Sequence, residues 1–129
     1  MARKHYTQMS TAEFEQVMAY VKGLSLRASK LHYHDRSKER SFTDTQAKMA
    51  VIDGTLIEVH NEKEPDIRAL MRDDKGTCVV VSLVSGDIIT VYYNDPEDKH
   101  YTLNKGQYRW NVDLLDVLRG IRGCGGAGL

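Results

Sequence analysis

The sequence predicts an α+β domain, with N-terminal helices packed on a four-stranded antiparallel meander sheet and a C-terminal helix. Three observations predict it. Apolar residues recur at helical spacing before Gly54, the period switches to two after it, and helical spacing returns after Asn111. The β-rich runs are joined by connections too short for parallel crossovers, which leaves antiparallel pairing.

Residues 1–9 show no periodicity and are expected to form a flexible N-terminus. Ser10-Thr11-Ala12-Glu13 fits a capping box, in which hydroxyl and carboxylate satisfy each other's free backbone donors. Phe14, Val17, Met18, Val21 and Leu24 then make one apolar stripe, and Gly23 ends or bends the helix. A second helix is expected over about 27–41, with Ala28 and Leu31 facing inward. A third runs from about Thr43 to Asp53, capped by Thr43 or Asp44, stopped by Gly54 and buried through Ala47, Ala50 and Val51.

Residues 55–62, 66–74, 77–84 and 87–94 read as four strands. In the first, Leu56, Glu58 and His60 alternate with Ile57 and Val59. Ser85-Gly86 reads as a tight hairpin turn. Residues 94–98 form a polar loop, and 100–110 are ambiguous between a strand and an irregular segment. The last helix opens at residues 111–114, with Leu114, Leu115, Leu118 and Ile121 on its apolar side. The single domain is expected to span 10–122, and the glycine-rich residues 123–129 to be flexible.

The chain has 129 residues, 41% hydrophobic and 28% charged, enough for one packed core. Formal net charge is zero, which disfavours sequence-independent nucleic-acid binding by the whole surface. Residues 1–42 nevertheless carry eight Lys/Arg against four Asp/Glu, so a local basic patch is available. Cys78 and Cys124 lack partners at disulfide-framework or zinc spacing. The N-terminus has no apolar core of a signal peptide, and no apolar run approaches membrane-spanning length. A soluble cytoplasmic protein with no cofactor and no bound metal is the simplest expectation.

The segment KLHYHDRSKERSF, residues 30–42, carries the main functional signal. On a helix, His32, Arg36 and Arg40 lie four apart and project from one side. Two guanidiniums can fork onto phosphate oxygens, and an imidazole beside them can move a proton near neutral pH. The competing reading is a solvated charged face. Arg36 and Arg40, like Asp35 and Glu39, repeat one sign at i,i+4, which disfavours the helix slightly.

His32-x-x-x-Arg36-x-x-x-Arg40, followed by a helix ending in Gly54 and a β-run closing in Ile88-Ile89-Thr90-Val91-Tyr92, resembles a family of small bacterial and phage domains. Their signature is His-Ala-x-x-Arg-x-x-x-Arg-Gly-Ile-Ser, and they are linked to the barnase/RelE-like endoribonuclease toxin fold. The resemblance covers about residues 30–94; the chain differs at Tyr33 and at Ser41-Phe42. It implies a catalytic set of His32, Arg36, Arg40, Thr90 and Tyr92. The implied chemistry is metal-free RNA cleavage, with His32 moving protons and the two arginines neutralising charge on phosphorus. Alternation on a strand places Thr90 and Tyr92, with Ile88, on one face.

Lys30 and Lys38 flank that set. Lys105, Tyr108, Arg109 and Trp110 mix cations with aromatics, a combination that holds single-stranded nucleic acid but also seats a tryptophan against a core. His5, His60 and His100 are isolated and read as ordinary surface or half-buried residues. Two functions follow: a toxin-fold domain that binds or cleaves RNA, or a silent adaptor or inhibitor binding a host or cognate protein, in a phage or mobile-element setting. The helices at 10–24 and 111–121 lie outside the resembling core and could present a partner surface.

Overall fold

The computed structural model describes residues 2–28, 34–35, 40–98 and 105–124, of which 34, 35, 40, 41, 105, 123 and 124 by backbone alone. It is α+β. Its main sheet has five strands: β1 (Arg3–His5), β4 (Thr55–His60), β5 (Arg68–Arg72), β6 (Thr77–Ser82) and β7 (Ile88–Tyr93). They lie in that spatial order, and every neighbouring pair is antiparallel. β2 (His34–Asp35) and β3 (Arg40–Ser41) form a separate small hairpin, with β2 beside β7. The helices are α1 (Thr11–Lys22), α2 (Asp44–Asp53) and α3 (Leu114–Cys124).

The helix starts follow from their caps. Ser10 Oγ accepts from the Glu13 N–H at 3.1 Å, and Glu13 Oε1 accepts from the Ser10 N–H at 2.8 Å. Thr43 and Gln46 repeat the arrangement at α2, with 3.0 and 2.8 Å. Each box satisfies donors that a helix end otherwise leaves unpaired. α2 stops at Gly54 because the chain passes so close to its own last turn that a Cβ there would stand 2.2 Å from the Ala50 carbonyl oxygen. Gly86 turns β6 into β7 at φ +81°, a backbone region side chains rarely adopt, with Ser25 pressed against it.

All three helices contribute to one core. Val17 and Val21, then Ala47, Ala50 and Val51, then Leu114 and Leu118 pack with Leu56, Val59, Ala69, Met71, Val79, Val81, Ile88 and Val91 of the sheet. The opposite sheet face carries a smaller cluster, Ile57, Leu70 and Cys78, against which Tyr6, Val80 and Tyr92 pack.

Four expectations differ from this structure. Residues 3–8 are not a loose end: they form β1 and a single 3-10 turn, making the sheet five-stranded. Three polar residues gave no strand signal, because their pairing comes from β4 rather than from their own pattern. Residues 123 and 124 belong to α3 rather than to a tail. The helix over 27–41 is absent where the chain is described: Arg27 bridges Asp87, and His34–Asp35 pairs with Arg40–Ser41. Its like-charged i,i+4 pairs and its Ser, His and Tyr residues made a weak helix. Finally, strict alternation fails in β4 and β7. Bulges between Leu56 and Glu58, and between Ile88 and Thr90, put Leu56 with Val59 and Ile88 with Val91 on the helix side.

Candidate functional site on the open sheet face

The predicted set does not assemble. His32, Arg36, Lys30 and Lys38 lie outside the described residues. Arg40 sits on β3, opposite Asp35, rather than on a helix in line with an arginine one turn earlier. Thr90 and Tyr92 share one face of β7, while Ile88, expected on that face too, is turned to the helix side by the bulge. Tyr92 packs into the smaller apolar cluster, and burial there pushes its phenol pKa well up. Arg109 is exposed and donates to the Gly106 carbonyl at 2.9 Å. Lys105 opens a 3-10 turn. Trp110 packs against the main core, as the structural reading of that hexamer expected.

Tyr108 is turned inward, and it leads to a polar constellation that periodicity did not reveal. Pairing places Arg3, His60, Arg68 and Ser82 in one cross-strand row, and His5, Glu58, Leu70, Val80 and Thr90 in the next. On β4, next to the edge strand β1, stands Glu58, with 0% exposure. Its Oε1 accepts from the Tyr108 hydroxyl at 2.7 Å, and its Oε2 accepts from Arg3 Nη1 in an ion pair. Arg3 is shared with Glu62, which takes Nε and Nη2 at 2.7 Å each in a forked pair. His5, also fully buried, stands edge-on to the Tyr108 ring at 5.6 Å.

His60 is on the same strand face as Glu58, two residues along and hence about 7 Å away. Its Nδ1 accepts from the Glu62 backbone N–H at 3.2 Å, which puts the ring proton of the neutral form on Nε2. Burial, then the charge of Arg3, pulls its pKa below the usual histidine value; Arg68 acts in the same direction. Burial alone would lower the Arg3 pKa, yet its bonds to Glu62 and Glu58 raise it. Burial would raise Glu62, and the bond from Arg3 outweighs that and lowers it. Arg68 is paired with Asp66 at 2.9 Å, and Asp66 also accepts from Ser82 Oγ at 2.6 Å.

The constellation thus joins a carboxylate, an imidazole and two guanidiniums on one sheet face, set by β1, β4 and β5. It holds the groups needed to take a proton, give one and balance negative charge. Thr90 is three strands from Glu58, about 14 Å at ordinary strand spacing, and does not join it. The Cys78 thiol is no nucleophile: burial pushes its pKa up to about 12.

The sequence reads His5 and His60 as ordinary surface or half-buried residues; both are buried in this constellation. The available signal was Glu58 and His60 at i,i+2 in an otherwise apolar strand, since a buried acid demands a partner. The partner, Arg3, comes from a strand the pattern did not disclose. Among the described residues no helix is long and apolar enough to cross a membrane, and no group of three His, Cys, Asp or Glu side chains is placed to hold a metal ion. No protein-family model matches the chain, and no curated protein or solved structure matches it.

Proposed function

We propose that this chain binds RNA across the open sheet face and cleaves it by metal-independent transesterification. The observation that carries the reading is Glu58 and His60 on one face of β4, with Arg3 and Arg68 on the flanking strands. Glu58 takes the proton of a ribose 2′-hydroxyl as its oxygen attacks phosphorus. The bond to the 5′-oxygen breaks, and protonated His60 gives that oxygen its proton. Products are a 2′,3′-cyclic phosphate and a 5′-hydroxyl. Arg68 balances charge on the phosphorane. In the sequence Lys30 precedes β2, Arg36 and Lys38 lie between β2 and β3, and Arg40 opens β3; β2 itself lies beside β7. These four would bring the phosphate backbone to the sheet. The resemblance to toxin-fold endoribonucleases points the same way, with proton transfer moved from His32 to β4.

The test is incubation of the purified chain with RNA in a chelator, with analysis of the new ends. Cyclic phosphate ends should form, and Glu58→Gln should slow their formation by roughly a hundredfold or more, the usual weight of a positioned acid or base. RNA that stays whole and unbound sinks the proposal.

A second reading, a protein-binding adaptor, is favoured by a separate feature. Pro65, Ile67, Val84, Val117 and Ile121 line an apolar groove of about 540 Å³ beside α3, and Val84 is 53% exposed. If RNA stays intact while a partner captured from host lysate is lost on Val84→Asp, the adaptor reading takes precedence.

A further inference from the structure

We propose that β1 is a proton-released cover over Glu58 and His60, opened when His60 takes up a proton; the proposal rests on the reading of that site given above. β1 is an edge strand of three residues, and Arg3 clamps it to the β4 side through Glu58 and Glu62. The clamp depends on where Glu62 stands, and His60 sets that position by accepting the Glu62 N–H at Nδ1. A proton on Nδ1 removes that acceptor, so the hydrogen bond is lost.

The new cation also stands between two others. Pairing puts Arg3 on one side of His60 and Arg68 on the other. Glu58 and Glu62 oppose them, and Asp66 is held by Arg68 and Ser82. Both carboxylates near His60 are already engaged by Arg3, so an imidazolium must compete with Arg3 for them. Either outcome weakens the hold on β1. Departure of Arg3 uncovers a Glu58 that is fully buried in the closed form. The same proton is the one His60 would deliver to the leaving oxygen, so opening and arming the site are one event. The depressed His60 pKa is the converse statement: the closed form resists the proton, and the proton favours the open form.

The experiment is amide hydrogen exchange, read as protection relative to the unstructured rate, at about pH 7.5 and about pH 5.5, either side of the free imidazole value near 6.5. The reporter is the Asn61 amide, which donates to the Ala2 carbonyl at 3.1 Å and is freed when β1 leaves. Amides of the β5–β6 ladder are the reference. Protection at Asn61 should lie far below that of the reference amides, as a local opening requires, and should fall several-fold at the lower pH. His60→Asn supplies a side-chain acceptor without a titrating group and should abolish the fall. Glu62→Gln, which breaks the forked pair but leaves His60, should show low protection already at the higher pH. Protection at Asn61 equal to that of the reference amides, or a fall that survives His60→Asn or does not occur, overturns the cover.

Cleavage is scored separately with a disulfide lock, Ala2→Cys with Asn61→Cys. Rates that collapse when oxidised and return on reduction tie the cover to the site; equal rates overturn that tie. If the pH-dependent opening is found but RNA is never cleaved, the cover stands and the assignment of RNA chemistry fails.

Discussion

Glu13 holds three parts of the chain with one carboxylate. Its Oε2 accepts from Lys4 Nζ of β1 at 2.6 Å and from the Leu114 N–H at the start of α3 at 2.9 Å, and Oε1 closes the α1 cap. Burial would raise its pKa, but the Leu114, Lys4 and Ser10 donors outweigh that and hold it at about 2. The folded form therefore binds its proton less readily than the unfolded chain. The resulting stability is present above about 4.5 and is lost as pH falls towards about 2. Glu13→Gln keeps the shape and removes the charge; it should cost about 3 kcal/mol at neutral pH by denaturant unfolding, much of it from leaving the buried Lys4 ammonium without a countercharge, held by the Val112 carbonyl at 2.9 Å. The cap half of this role was legible in Ser10-Thr11-Ala12-Glu13. The other half was not, because Lys4 and Leu114 reach Glu13 only through tertiary packing.

Among the elements, α1, α2 and the β6–β7 turn could be read directly because their determinants are local. A capping box lies within four residues, and Gly86 alone supplies the positive φ its turn needs. Ser10→Ala should cost about 1 kcal/mol, the usual worth of an N-cap side chain. Gly86→Ala should cost more, about 2 kcal/mol or above, because the strained φ adds to a Cβ placed 2.5 Å from the Ser25 carbonyl oxygen. Thermal unfolding of the two variants checks both the sizes and their order. Elements with non-local determinants escaped. β1 is a strand because β4 offers it a ladder, and the chain at Arg27 is bridged to Asp87 beside the β6–β7 turn rather than helical. The bulges in β4 and β7 are equally silent in the sequence, yet each decides which side of the sheet a residue serves.

For the molecule as a whole, acid should act in two stages. His60, whose pKa is depressed, contributes stability that is complete above about 6.5 and declines as pH falls below it. Glu13 and Glu62 follow at lower pH, both being held below the usual carboxylate range. Urea midpoints measured from neutral pH downward should show a shallow first decline that His60→Asn removes, then a steep one that it leaves. The candidate site belongs to this scale too. The sequence placed its search on His32, Arg36 and Arg40 because their spacing is visible within one segment. The constellation at Glu58 is drawn from positions 3, 58, 60, 62, 68 and 108, and only the assembled sheet brings them together. The chain also finishes its own borders. Trp110 donates to the Arg3 carbonyl on one margin, and Arg27 exchanges bonds with Gly86 and Ile88 on the other. At those points a second molecule seeking to extend the ladder finds the hydrogen-bonding positions taken, which is a built-in guard against fibrous growth.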